Sequence, residues 1–193
     1  MDAFSQAMDA IIADDGETLR RLLAAELGLV GRTVVDERFV EAIVHQVYRG
    51  DTLLHVAAAG FRAGMAADLI AAGADVAARN RRGATALHYA ADANRDASQA
   101  QAATIAVLLK AGADPNATDK SGVAPLHRAV RKRSAEAVKA LLDGGADANL
   151  KNGSGSTPLF LAERTTGSSG SGSPEAKAAQ AEIIRMLLAA GGK

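Results

Sequence analysis

Three histidines, which fall at the same place in a repeated motif, are the residues of this sequence best suited to chemistry. They are His55, His88 and His127, separated by 33 and 39 residues. Histidines grouped in space could bind zinc or transfer protons. If the motif opens successive stacked helices, however, the three side chains lie roughly 10 Å apart. Zinc ligands must each lie about 2.0–2.1 Å from one metal ion. We therefore predict that these histidines form no metal or catalytic site.

Motifs for other chemistries are incomplete or absent in the sequence. The run Gly-Ser-Ser-Gly-Ser-Gly-Ser at 167–173 precedes a helix start but lacks the order G-x-x-x-x-G-K-[ST] of a phosphate-binding loop. The sequence contains no G-x-S-x-G nucleophile motif and no Cys that could act as a nucleophile or thiolate ligand. We predict a protein that is not an enzyme and that has no cofactor, no catalytic residue and no metal.

The repeated motif indicates the helices that position these side chains. Residues 51–58 read DTLLHVAA, and similar segments lie at 84–91, 123–130 and 156–163, the last with Phe160 in place of the histidine. Thr is a favourable N-cap and Pro a favourable first helical residue, so each segment is predicted to open a short helix. A Leu-rich segment follows each copy, and in the first three copies it ends in a glycine suited to a left-handed C-cap: Gly73, Gly112 and Gly145.

This combination of motifs resembles the ankyrin repeat, whose signature is T-P-L-H-x-A at a period of about 33 residues. The resemblance covers roughly residues 47–191. It implies an all-α solenoid of helix-turn-helix units with short hairpin-like turns, in which each helix pair buries its apolar side against its neighbours. Ala accounts for 45 of the 193 residues, which suits thin, closely packed layers. The resemblance also implies that the three histidines hydrogen-bond backbone groups of the neighbouring turn.

The N-terminal region departs from the repeat pattern. Residues 1–46 are interpreted as a degenerate N-terminal capping repeat with an extra helix. Two helices are predicted over 2–13 and 17–27, separated by Asp-Asp-Gly. The extra helix is predicted over 36–47, where apolar residues follow a helical spacing.

Residues 47–191 are interpreted as four ankyrin repeats, the last acting as the C-terminal cap. The second and fourth repeats carry insertions at 92–99 and 166–173, between their two helices. Such an insertion is either a tolerated surface loop or part of a binding side. The sequence leaves both interpretations open.

A set of cations is predicted to form the binding surface. Ankyrin repeats generally bind partners through their turn tips and the exposed side of each first helix, which together form a concave surface. The resemblance places eight cations and two exposed apolar anchors there as partner-binding candidates: Arg79, Arg81, Arg82, Tyr89, Lys120, Val123, Arg131, Lys132, Lys151 and Arg164. Residues 1–50 instead carry nine acidic and five basic side chains. The predicted molecule combines a basic concave face with an acidic N-terminal region.

The basic face predicts another protein with an acidic surface as the partner, because Arg binds carboxylates in a bidentate manner. Through that contact the chain could regulate or neutralise a cognate protein. An alternative is that the same face binds nucleic acid or a phosphorylated ligand, which the scarcity of aromatic residues for base stacking disfavours. A further alternative is a solvated face that only keeps the repeats soluble.

Charge, hydropathy and the N-terminal segment bear on location. The net charge of zero argues against binding to nucleic acid or membrane through the overall field of the protein. No apolar run approaches the roughly 18–20 residues that span a bilayer. The first residues, MDAFSQAMDAIIADDGE, are acidic where a signal peptide is basic. We expect a cytoplasmic monomer with no membrane partner.

Overall fold

The computed structural model describes residues 2–43, 45–92, 98–164 and 173–193. Of the predicted insertions, residues 93–97 and 166–172 lie outside the described residues. The described residues form ten α-helices: α1 (Ala3–Ala13), α2 (Gly16–Ala25), α3 (Leu53–Ala59), α4 (Ala63–Ala71), α5 (Ala86–Ala90), α6 (Ser98–Lys110), α7 (Pro125–Lys132), α8 (Ala135–Asp143), α9 (Pro158–Arg164) and α10 (Pro174–Ala189).

The helices stack in two layers. The inner layer consists of α1, α3, α5, α7 and α9, each packed on the next, and the outer layer consists of α2, α4, α6, α8 and α10 in the same order. Each pair forms one thin layer of the stack, so a helix buries its apolar side only when the neighbouring pairs are in place. The predicted all-α solenoid of helix-turn-helix units is confirmed.

Local signals in the sequence set the helix ends. Thr52 and Thr85 are the N-caps of α3 and α5, and α7 begins at Pro125, as predicted. Ser173 caps α10, where its hydroxyl accepts a hydrogen bond from a backbone N–H of the first turn at 3.2 Å. The three glycines predicted to end the second helices all adopt positive φ, between 89° and 93°. Apolar side chains then fill the space between the layers, with one fully buried Leu at the same position in successive outer helices: Leu69, Leu108, Leu141 and Leu187.

The extra helix predicted over 36–47 is wrong, because this segment forms a β-hairpin. Strands β1 (Arg38–Val40) and β2 (His45–Val47) pair antiparallel, with a single 3₁₀ turn over Glu41–Ile43. Along β1 the side chains alternate: Phe39 is 56% exposed, whereas Val40 is buried. That alternation, together with β-branched Val, fits a half-buried strand better than a helix.

The hairpin lies against the first inner helix of the repeats. Every residue of α3 is buried, including those that lie on the side of the helix away from α4. Ile43 approaches Gly60 so closely that a Cβ added there would lie 3.1 Å from its methyl group. The segment between α2 and α3 therefore covers the inner side of the first repeat, and the inner side of the next two repeats lies beyond it.

Two turns between repeats meet at van der Waals distance, and this contact requires glycine. Gly122 has φ of +70°, and a Cβ added to it would lie 2.5 Å from the backbone nitrogen of Gly153. We expect Gly122→Ala to lower the free energy of unfolding by about 3 kcal/mol, because both the left-handed conformation and the clash oppose a side chain. Chemical denaturation measures this difference.

Gly145→Ala is the matched control for that substitution. Gly145 also has positive φ, at +89°, but a Cβ there would meet no atom within 4 Å. Only the conformational cost of about 1–2 kcal/mol remains. Equal losses in the two variants would show that the turns separate freely and that the clash costs nothing.

Candidate functional site

The three histidines of the repeated motif connect each repeat to the next. In each case Nδ1 accepts a hydrogen bond from the N–H three residues earlier, at 3.1–3.2 Å. Because Nδ1 is an acceptor, Nε2 carries the proton and donates it to a carbonyl of the next repeat. The Nε2–O distances are 3.1, 3.0 and 3.2 Å for the pairs His55–Ala84, His88–Val123 and His127–Ser156.

These contacts confirm the predicted backbone role of the histidines. Burial lowers the pKa of all three, in the case of His88 to about 4. They are therefore neutral at pH 7, with both ring nitrogens already used. Within the described ranges, no group of three or more His, Cys, Asp or Glu side chains could hold a metal ion.

A buried polar cluster links the residues that directly follow the hairpin to the second repeat. The carboxylate of Asp51, which is fully buried, accepts hydrogen bonds from the Tyr89 hydroxyl at 2.7 and 2.8 Å. It also accepts one from the Asn80 amide at 2.8 Å and one from the Tyr48 N–H at 2.6 Å. Burial and the nearby carboxylate both raise the pKa of Tyr89, so its hydroxyl remains a donor.

Tyr89 was predicted to be an exposed apolar anchor, and this is wrong. Its side chain is 1% exposed, because the hairpin covers it. His45 of β2 stacks on the Tyr89 ring with 4.3 Å between the ring centroids, and the Nδ1 of His45 lies 2.9 Å from the carbonyl oxygen of Gln46. Burial lowers the pKa of His45, and the ring therefore contributes packing rather than charge.

A pocket of about 340 Å³ opens on the inner side of the stack, where the hairpin, α5, α7 and two turns meet. We call it the inner pocket. Its lining includes four cations and two carboxylates, together with Tyr48 and Val123: the charged residues are Arg82, Arg128, Arg131, Lys132, Asp92 and Asp119. The excess of positive charge makes the inner pocket suited to an anionic group.

Arg128 is the central charge of the inner pocket. Its side chain is only 14% exposed, and its guanidinium lies 2.9 Å from Asp119 and 3.5 Å from Asp92. Lys132 lies 3.1 Å from Asp92 on the other side. Burial alone would raise the pKa of Asp119, but hydrogen bonds from Arg128 and from two backbone N–H groups hold that pKa below its usual value.

The inner pocket brings together four of the ten predicted binding residues as open lining, and Tyr89 as its floor. Arg131 is exposed at the rim and makes no ion pair with the described residues. Arg82 is held over the Tyr48 ring, 4.9 Å from its centroid, and donates to the Tyr48 hydroxyl at 3.0 Å. Val123 is half-buried and Lys132 is paired with Asp92.

The other five predicted residues lie outside the inner pocket. Arg79 is a structural residue, because it donates to the carbonyls of Gly83 and Thr118 and so ties two turns together. Arg81 forms an ion pair with Glu37 of the N-terminal region. Arg164 lies over the ring of its neighbour Phe160. The remaining two are exposed at turn tips without an ion pair in the described part of the chain: Lys120 and Lys151.

Sequence reasoning missed Arg128, Asp119 and Tyr48 as pocket residues. Arg128 directly follows the histidine in the third copy of the motif, at the variable position of T-P-L-H-x-A. Tyr89 occupies the same position in the second copy. That shared position was a usable signal for Arg128. The place of Tyr48 depends on the hairpin and had no such signal.

Comparison with protein-family models identifies the repeats. The model of the ankyrin repeat matches residues 49–81 and 82–120, and a model of ankyrin repeats in many copies matches residues 108–162. The chain belongs to the ankyrin repeat family. A search of curated proteins gave no match.

Membership of this family indicates a class of function. Ankyrin repeats generally mediate protein–protein interaction, and proteins of the family are typically non-catalytic. Among the helices of the described residues, none has the length and apolar character needed to span a membrane.

Proposed function

We propose that this protein is a non-catalytic interaction module that binds an acidic segment of another protein on the inner side of its repeats. The observation that carries the proposal is the charge of the inner pocket, where four cations face two carboxylates. Contact of this kind steers association and selects partners by charge more than it adds raw affinity. By covering an acidic surface, the protein would regulate or neutralise its partner.

Exposed cations extend the positive surface beyond the inner pocket. We define the basic face as five exposed cations, three that line the inner pocket and two at turn tips: Arg82, Arg131, Lys132, Lys120 and Lys151. Arg82 is fixed in position by its contact with Tyr48, so little side-chain entropy is lost when it binds. Arg131 can form two parallel hydrogen bonds to one carboxylate.

The aromatic residues of the inner side favour a protein over a nucleic acid as the partner. Base stacking requires an accessible aromatic face. Both Arg81 and Arg82 lie over the Tyr48 ring, within 5.8 Å of its centroid, and Tyr89 is buried. The basic face therefore offers charge without a stacking platform.

Binding of a labelled decaglutamate peptide, with its C-terminus amidated, tests the proposal. We expect saturable binding at low ionic strength, measured by fluorescence anisotropy. Arg131→Glu should weaken it about tenfold, or ~1.4 kcal/mol, because one attractive charge becomes repulsive. The matched control is Lys177→Glu, which reverses an exposed charge on α10 of the outer layer and should change the affinity less than about twofold.

Three outcomes would contradict the proposal. The native chain could fail to bind decaglutamate, or the two charge reversals could weaken binding equally. The native chain could also bind an oligodeoxythymidylate more tightly than decaglutamate, with a steep salt dependence that Arg131→Glu reduces. That last result would establish the nucleic-acid alternative, since counterion release produces such a slope.

A further inference from the structure

The inner pocket already contains a carboxylate that resembles the group it is proposed to bind. Asp92 follows α5, and its side chain is 24% exposed. One carboxylate oxygen lies 3.1 Å from the Lys132 ammonium, and the other lies 3.5 Å from a guanidinium nitrogen of Arg128. Asp92 thus neutralises part of the positive charge that a partner would meet.

The two carboxylates of the inner pocket are held very differently. Asp119 is a fixed part of the turn, because it accepts hydrogen bonds from the N–H groups of Ser121 and Val123 at 2.9 and 3.1 Å, in addition to Arg128 at 2.9 Å. The contact between Asp92 and Arg128, at 3.5 Å, is at the limit of a hydrogen bond. Asp92 is therefore the carboxylate that can leave.

We infer that the inner pocket is a subsite for one Asp or Glu side chain of an acidic partner, and that Asp92 fills this subsite in the free protein. The inference rests on the proposed function and adds to it a named subsite and an internal competitor. An incoming carboxylate takes the place of Asp92 beside Lys132 and Arg128, with Arg131 at the rim as a third contact. Asp92 then turns toward solvent.

The size and chemistry of the inner pocket fit this occupant. Its volume of about 340 Å³ lies at the small end of ligand sites, which leaves room for a short extended segment that places one carboxylate beside the cations but not for a folded element. A carboxylate is already accommodated there between a guanidinium and an ammonium group. The geometry that holds Asp92 therefore needs no rearrangement of the cations to hold another carboxylate.

Competition between Asp92 and the ligand means that removing a side chain from the site should strengthen binding rather than weaken it. The apparent affinity for a ligand is the intrinsic affinity multiplied by the fraction of protein whose site is open. Occupation of the subsite by Asp92 lowers that fraction and therefore lowers the apparent affinity. Removing the charge of Asp92 opens the site and also removes a repulsive charge. Loss of an acidic side chain at this position should tighten the binding of an acidic peptide, and the gain should exceed that from an equal change of charge elsewhere.

The test compares Asp92→Asn with Asp143→Asn, using the same amidated decaglutamate peptide and the full chain. Asp143 lies at the end of α8 in the outer layer, where its exposed carboxylate pairs with Lys139. Both substitutions change the net charge by one unit. We expect Asp92→Asn to lower the Kd at least about threefold relative to Asp143→Asn.

Each outcome decides the inference. Equal affinities for the two variants, or weaker binding by Asp92→Asn, would overturn it while leaving the proposed function intact if Arg131→Glu still reduces binding. If neither the native chain nor Asp92→Asn binds the peptide, the proposed function fails and the inference fails with it. Binding by Asp92→Asn alone would support both, because it would show that Asp92 had closed the subsite.

Discussion

Acidification from pH 7 to pH 4 is expected to cost this protein about 3 kcal/mol of its free energy of unfolding through His88 alone. Burial holds the pKa of His88 at about 4 in the folded state, against 6.5 for the free side chain. Below pH 6.5 the unfolded chain therefore binds a proton that the folded protein does not, and each pKa unit of difference corresponds to about 1.36 kcal/mol. The stability is present above pH 6.5 and is lost as the pH falls toward 4.

Denaturant titrations at pH 7, 5.5 and 4 measure this effect, and His88→Gln isolates it. Gln can replace part of the hydrogen bonding but does not titrate. The variant should lose about 3 kcal/mol less than the native chain over the same pH range. The pKa values of His55 and His127 are lowered in the same direction, so both proteins should still become less stable in acid. Parallel pH profiles for the two chains would show that His88 protonates without cost.

Replacing Asp51 with Ala is expected to lower the free energy of unfolding by about 3–5 kcal/mol. The buried carboxylate accepts hydrogen bonds from the Tyr89 hydroxyl, the Asn80 amide and the Tyr48 N–H. Removing it leaves the Tyr89 hydroxyl and the Tyr48 N–H without this acceptor, and the Asn80 amide with only the Tyr89 oxygen at 3.0 Å. Leaving donors unpaired inside the protein is more costly than losing a hydrogen bond to water. Thermal and denaturant unfolding would both register the loss.

Tyr89→Phe is the matched control for Asp51→Ala. It deletes one hydroxyl from the same cluster and leaves the carboxylate with the Asn80 and Tyr48 donors. The expected loss is about 1 kcal/mol. If Asp51→Ala is no more destabilising than Tyr89→Phe, then the carboxylate does not hold the residues that follow the hairpin to the second repeat.

The parts of the fold that sequence reasoning predicted are those determined by short-range chemistry. A Thr or Pro at the helix start, a His three residues later and a Gly after the second helix each depend on neighbours within a few residues. The hairpin over residues 38–47 was missed because its apolar residues suit a helical spacing as well as an alternating one. In the structure the two strands pair with each other and His45 stacks on the Tyr89 ring, and no local pattern in the sequence records the second of these contacts.

The same distinction between short-range and long-range interactions applies to the predicted binding residues. The resemblance assigned the cations to turn tips and to the ends of the first helices, but the availability of each one depends on long-range partners. Arg79 bonds to the carbonyl of Thr118, 39 residues away, and Arg81 pairs with Glu37 in the N-terminal region. Tyr89 is covered by a segment that precedes it by more than 40 residues. Only the assembled structure shows that Arg131 and Lys120 are exposed and without an ion pair among the described residues, whereas the residues just named have long-range partners.

The hydrogen bonds of the histidines all run in one direction, and this gives the chain an order of completion as it is synthesised. Each ring finds its carbonyl in the following repeat, 29 to 35 residues further along. At about 5–20 residues per second, the acceptor of each histidine is synthesised roughly 1.5–7 s after the histidine itself. Until the next repeat has been synthesised, the Nε2–H group of the histidine in the earlier repeat therefore lacks its backbone acceptor. Phe160, at the equivalent place in the fourth copy, has no ring N–H and therefore requires no acceptor.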